Sequence, residues 1–210
     1  WIFFREREAD DPKVLANVRH RTVNKWPSAE HLPRFKPTML RYIAEMETAA
    51  RKMVRVYARA LELPETYFDA YFETPEFYQR CNYYAPGDPE IESMGMGAHS
   101  DHSFLTLLPT AVVPGLQLLT PAGEWLAVQH TPSAIIVNTG EFLNRWSNGR
   151  FIPTPHRVTA TAAERITVHE AFEQLSPVPM PDNGDAFSAA KFLTDWKFRS
   201  TPPRGGRRSS

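Results

Sequence analysis

After Glu76 the chain breaks into short runs rich in β-branched and aromatic residues, and this texture narrows the fold more than any other feature. The runs are Tyr78–Tyr84, His99–Leu108, Leu116–Leu119, Trp125–Val128, Ala134–Asn138, His156–Thr159 and Ile166–His169. Turn signals PGDP, VPG, PAGE and SNGR separate them. Many short strands with frequent turns predict a mainly β fold, a sandwich or jelly roll.

The first third reads differently. From Pro37 to about Leu63 the apolar residues Leu40, Ile43, Met46, Ala50, Met53, Val54, Tyr57 and Leu61 recur at three- and four-residue steps, with charged residues between them. That spacing predicts a long amphipathic helix packed on something larger. Pro64 stops it and opens a shorter helix through Tyr71. WIFF at the start reads as a strand entered part-way, and Trp1 in place of Met leads us to expect an upstream portion. A last helix is expected over Ser188–Arg199, followed by the solvated tail TPPRGGRRSS.

Bulk properties bound the function. The 210 residues suffice for a core without disulfide staples, and the single cysteine, Cys81, permits no intramolecular disulfide framework. A reducing, cytoplasmic setting is the expectation. Lys plus Arg and Asp plus Glu are 24 each, so no global field draws nucleic acid or an anionic membrane. No apolar stretch reaches bilayer length. A small molecule is the expected partner, and oligomeric state is not legible.

GAHSDHSFLTLL, residues 97–108, carries two imidazoles and a carboxylate into an apolar run. Unpaired, such groups are costly to bury. In an extended segment residues two apart share a side, so His99 and Asp101 face one site and His102 faces away. A divalent metal is the natural occupant, with a third ligand from another strand. His156, in TPHRV at the start of a later run, is the candidate. Two histidines and one carboxylate suit Fe(II) with open positions, and zinc hydrolases are the chemical competitor. On its own, HxD also fits an aspartate capping a turn.

In AERITVHEAF, Arg165 and Thr167 are again two apart, so a guanidinium and a hydroxyl share a face. An inward arginine needs an anion, and its fork suits a carboxylate. The competing reading puts Arg165 on an exposed sheet face, paired with Glu164 or Glu170. If the first holds, a dicarboxylic acid can chelate the metal at one end and meet Arg165 at the other.

From Gln79 to Thr167 the motifs NYYAP, GAHSDHSFLTLL, VPGLQLLTPAGEWLAV, AIIVNTGEFLNRWSNGRFIPTPHRV and RIT follow in order. In this the chain resembles the 2-oxoglutarate/Fe(II) dioxygenases of the isopenicillin N synthase-like group. The resemblance implies a double-stranded β-helix (jelly-roll, cupin-like) core backed by the long N-terminal helix. It divides the chain into an N-terminal helical part, 1–76, an oxygenase core, 77–187, and a C-terminal helix and tail, 188–210. It implies that His99, Asp101 and His156 hold Fe(II) and are catalytic, and that Arg165 and Thr167, on the family's Arg-x-Ser pair, grip 2-oxoglutarate. Asn82 and Tyr84 fall on positions that help hold the cosubstrate. Arg80 and His169 are candidates for lining the substrate, with a surface histidine as the simpler reading of His169. Trp125, Phe142 and Trp146 read as scaffold.

The implied reaction consumes dioxygen and 2-oxoglutarate, releases succinate and CO2, and hydroxylates or desaturates a small organic substrate. Alternatives are an oxidative cyclase or ethylene-forming oxidase on the same fold, or a truncated, inactive relative acting as a binding module. Two departures stand out. The longer N-terminal region usual in the family is expected to be absent or to have been removed here, and His169, Glu170 and Ala171 stand where Pro and paired Phe are usual; Leu175 to Ala186 also looks short or rearranged.

Overall fold

The computed structural model describes residues 1–87 and 94–173, with the short strands at 178–179 and 186–187. Strand β1 (Ile2–Phe4) opens the chain, and a one-turn helix, α1 (Pro12–Leu15), follows it. Helix α2 (Phe35–Ala60) starts two residues before the expected Pro37; proline is tolerated in a first turn, whose N–H groups have no helical partner anyway. Its buried residues Ile43, Met46, Ala50, Val54, Tyr57 and Ala58 form the anticipated stripe. Glu62 takes a left-handed φ of 63°, Leu63 N–H returns to Ala58 O at 2.9 Å, and Pro64 lies just beyond. The shorter helix expected through Tyr71 is instead a 3₁₀ turn at Asp69–Phe72.

Strand β2 (Glu76–Tyr84) begins the sheet region, followed by β3 (Met94–His99), β4 (Leu105–Pro109), β5 (Leu116–Leu119), β6 (Trp125–Ala127) and β7 (Ile135–Thr139). A short helix, α3 (Glu141–Trp146), then leads to β8 (His156–Thr159) and β9 (Arg165–Glu173). Their pairings are antiparallel. The larger sheet runs β1-β2-β9-β4-β7 and the smaller β3-β8-β5-β6, a mostly antiparallel jelly-roll layout with few helices. Residues 1–174 form one unit and 175–210 another; the second is described by β10 (Val178–Pro179) paired with β11 (Ala186–Phe187). The helix expected over Ser188–Arg199 lies outside the described residues.

Helix α2 packs on β4 and β9. Phe104, fully buried, ties the layers together: its ring centroid lies 4.8–6.0 Å from those of Tyr57, Phe68, Phe72 and Trp146. Such a cluster combines large burial with favourable edge-to-face geometry. Beside β1, Glu76 is almost wholly buried and receives Arg7 at 2.6 Å, Lys13 at 2.9 Å and Arg21 at 3.0 Å. Burial pushes its carboxyl pKa up, but the Lys13 hydrogen bond, Arg21 and Arg7 outweigh that and hold it below the ordinary value.

Strands β2 and β9 pair over nine consecutive residues without a slip. Alternation therefore sorts them into two faces. One face carries Tyr84 opposite Arg165, Asn82 opposite Thr167 and Arg80 opposite His169. The other carries Gln79 opposite Glu170 and Phe77 opposite Phe172. Gln79 and Glu170 have no exposed surface, and their side-chain polar atoms, like the Tyr42 hydroxyl of α2, have no hydrogen-bond partner. Burial, with Glu47 adding to it, pushes the Glu170 carboxyl up to about 9, so it is protonated at neutral pH.

Candidate active site

His99 ends β3 and His156 begins β8, and the two are register partners across the smaller sheet. Residues remote in the chain are thereby brought ring to ring, with centroids 4.4 Å apart. The β3 register shifts twice on the way to His99, an irregularity of the kind that re-aims side chains. Each imidazole is fixed from behind: His99 Nδ1 lies 2.9 Å from Gly97 O, and His156 Nδ1 lies 3.0 Å from Thr154 O. A carbonyl can only accept, so Nδ1 carries the proton in both rings and each Nε2 presents a lone pair.

Asp101 reaches the same point by another route. The expected continuous strand from His99 to Leu108 is not formed: β3 stops at His99, β4 starts at Leu105, and Asp101 lies in the loop between them. Strand alternation therefore does not explain why it faces the histidines. The loop is held by the N-terminus of α3, where Glu141 N–H donates to Asp101 O at 2.9 Å, Phe142 N–H to Ser103 O at 3.3 Å and Gly140 N–H to Phe104 O at 3.2 Å. Gly140 allows this approach, since a Cβ there would stand 1.7 Å from Ser103 O. Sequence patterning misses α3, although Gly before an acidic first turn in TGEFLNRW is its available signal.

Asp101 Oδ1 ends 3.7 Å from His156 Nε2, and Oδ2 makes a long 3.5 Å contact with Asn138 Nδ2. One ligand atom from each of His99, Asp101 and His156 lies within 4.8 Å of the others. Two imidazoles and a carboxylate on one side suit a borderline divalent metal. His102, half-buried beside them, has its pKa lowered by burial and is not in the cluster.

The larger sheet supplies the facing groups. Arg165 is only 3% exposed, which overturns the exposed-face reading, and Glu170 points to the opposite side of the sheet. Its Nε donates to Val113 O at 3.2 Å, and its Cζ lies 5.2 Å from the centre of the Tyr84 ring. Burial lowers the guanidinium pKa, opposed only by Tyr84, and no carboxylate among the described residues pairs with it. Thr167 is buried beside it in the strand, and Asn82 Nδ2 donates to the Tyr84 hydroxyl at 3.4 Å. Tyr84 lies hard against β3, where a Cβ on Gly95 would come within 2.8 Å of its ring. His169 is half-buried on the same face, not on the surface, and burial followed by Arg80 pushes its pKa down to about 4. Of the scaffold aromatics, Phe142 and Trp146 are buried, and Arg157 lies over the Trp125 ring at 4.1 Å.

Comparison with known proteins gives the following similarities. Residues 75–170 match the model of the 2OG-Fe(II) oxygenase superfamily. The chain is 37% identical over 165 residues to a 2-oxoglutarate-Fe(II) type oxidoreductase of Aspergillus fumigatus, covering 76% of this chain and 49% of that protein. It is 30% identical over 156 residues to the 2-oxoglutarate-Fe(II) type oxidoreductase ppzC of Metarhizium majus, covering 70% and 41%. Among solved structures, a full-length Neurospora crassa protein in complex with alpha-KG shares the fold, with a TM-score of 0.81 at 21% identity, covering 93% of this chain and 64% of that one. The chain thus spans about half the length of the curated relatives it matches.

Proposed function

We propose, from the match of residues 75–170 to the 2OG-Fe(II) oxygenase superfamily, that the protein uses Fe(II), dioxygen and 2-oxoglutarate to hydroxylate or desaturate a small organic substrate. The observation that carries the reading is the convergence of His99, Asp101 and His156 into one donor set. A double-stranded β-helix braced by α2 is part of the same reading, supported by the packing of α2 on β4 and β9. So is a reducing, cytoplasmic setting, which rests on the lone thiol of Cys81.

The residues fit the group they would hold. His99 and His156 bind through Nε2, with Nδ1–H anchored on Gly97 O and Thr154 O. Asp101 supplies one negative charge and keeps a coordination position filled, which favours hydroxylation or desaturation over halogenation. When bound, Fe(II) with 2-oxoglutarate and dioxygen supplies the oxidising power for C–H cleavage, coupled to loss of CO2 from the cosubstrate. Arg165 and Thr167 grip its distal carboxylate; a buried guanidinium with no carboxylate partner among the described residues gains most from that anion. Tyr84 and Asn82 keep the guanidinium oriented. A zinc hydrolase would leave Arg165 without an anion.

The test is anaerobic loading with Fe(II) and 2-oxoglutarate, followed by oxygen-dependent release of succinate. Asp101→Ala abolishes metal binding and turnover, whereas Thr167→Ala mainly raises the KM for 2-oxoglutarate. Equal loss of maximal rate in both variants, with cosubstrate affinity unchanged, would contradict these roles. A folded protein that binds neither Fe(II) nor 2-oxoglutarate would favour the binding-module alternative.

A further inference from the structure

One cation on the site face has no part in the scheme above. Arg80 lies on the face of β2 that carries Asn82 and Tyr84, opposite His169. It figures in the electrostatic surroundings of both His102 and His169, together with Asp101 and His99, so it lies near the metal cluster. Its Nε is buried and makes no hydrogen bond, and no carboxylate among the described residues forms an ion pair with it. Its neighbours on that face are aromatic: Arg80 Cζ lies 5.7 Å from the centre of the Tyr78 ring, and the Tyr78 and His169 rings meet edge-on at 6.3 Å.

A second arginine with an idle donor, half-enclosed by aromatic walls, calls for an anion of its own. That anion is not the distal carboxylate of the cosubstrate. His169, the register partner of Arg80, stands four residues along β9 from Arg165, roughly 13 Å at strand spacing. The distal carboxylate of a five-carbon diacid that Arg165 holds is therefore out of reach of Arg80. The two guanidiniums therefore mark opposite ends of one sheet face.

We propose that Arg80 receives a carboxylate on the substrate, so that the protein acts on small organic acids with an apolar body that packs on Tyr78 and His169. The inference rests on the Fe(II)/2-oxoglutarate reading and names the substrate class for that site. Fixing the carboxylate at Arg80 leaves the rest of the acid pointing toward the metal, which sets which C–H bond is presented. A neutral analogue leaves the buried Nε unpaired and is rejected.

Calorimetry on protein loaded with Mn(II) and 2-oxoglutarate tests this without turnover. The probes are phenylacetate, 3-phenylpropanoate, cyclohexanecarboxylate and octanoate, each beside its primary amide. The expected result is that the acids that bind do so about tenfold or more tighter than their amides. Arg80→Gln removes that preference and leaves 2-oxoglutarate affinity within twofold, which also shows that the variant is folded; Arg80→Lys keeps part of it. Amides that bind as well as acids, a preference that survives Arg80→Gln, or no binding by any of the acids would each overturn the inference. If Arg80→Gln instead weakens 2-oxoglutarate, Arg80 belongs to the cosubstrate site, and the inference falls while the oxygenase reading stands. Wild-type protein that fails to bind 2-oxoglutarate defeats that reading itself.

Discussion

Gly140→Ala is the substitution for which the structure predicts the largest effect per atom added. The new methyl would stand 1.7 Å from Ser103 O, 2.6 Å from Ser103 C and 2.9 Å from Ser103 N. Backbone cannot rotate away as a side-chain tip can, so the loop or α3 must retreat by at least about 1.3 Å to reach a tolerable contact. The retreat stretches the three backbone hydrogen bonds from Gly140, Glu141 and Phe142 to the loop. Overpacking costs about 1–3 kcal/mol, and each of the three bonds adds about 1 kcal/mol, so the expected loss is about 4–6 kcal/mol. That is a large part of the stability of an ordinary domain. Because Asp101 O is one of the acceptors, metal affinity falls too, by about 10- to 100-fold if the displacement acts as loss of an outer-shell partner does. Urea denaturation of the apo protein and Mn(II) titration read the two effects separately. Gly97→Ala is the control, since a Cβ there meets nothing within 4 Å and the carbonyl that anchors His99 is retained. A Gly140→Ala protein within about 1 kcal/mol of wild type, with unchanged Mn(II) affinity, would refute the account of how Asp101 is positioned.

Two buried carboxyls give opposite pH signatures. Glu170 has a folded pKa raised to about 9, so its contribution to stability is fully present below the unfolded carboxylate pKa and is lost as pH rises from there toward 9. Glu170→Gln, which cannot ionise, is expected to flatten that decline and to be more stable than wild type at pH 8 by about 1–3 kcal/mol, measured by urea midpoints at pH 5 and pH 8; an unchanged slope would show that Glu170 does not titrate in this way. Glu76 has a lowered folded pKa, so its contribution is present above the unfolded pKa and is lost as pH falls through the folded value. Glu76→Ala removes a buried carboxylate from Arg7 and Arg21, of which Arg7 keeps Asp11, and is expected to cost about 3 kcal/mol at neutral pH, with less difference from wild type in acid, by the same assay.

The site is legible in the sequence where period two governs it. Arg165 and Thr167 lie on one face because β9 is a regular strand, and His99 meets His156 because their strands pair. The α2 stripe is legible for the same kind of reason, a period sustained over many turns. Strand alternation puts Asp101 in the right place for a reason that does not hold, since its direction comes from contacts with a six-residue helix too short to leave a clear periodic trace. Glu170 reads in sequence as a surface partner of Arg165 because a charged side chain is rarely buried. Only the pairing with Gln79 and the cover of α2 reveal that it is enclosed and neutral. His169 misleads for the same reason: nothing local distinguishes a polar residue facing a cavity from one facing water.

The unbroken β2–β9 ladder has a consequence for how the gene can vary. Arg165, Thr167 and His169 alternate with Ile166, Val168 and Glu170, so the reading frame of the strand decides which set shares the face with Asn82 and Tyr84 and which lies on the other. Deleting or inserting a single codon inside 165–170 would turn the downstream set over, carrying a carboxyl onto the face of Asn82 and Tyr84 and an imidazole onto the opposite one. Length changes are therefore expected to accumulate in the segments that join the strands, while this stretch varies by substitution alone.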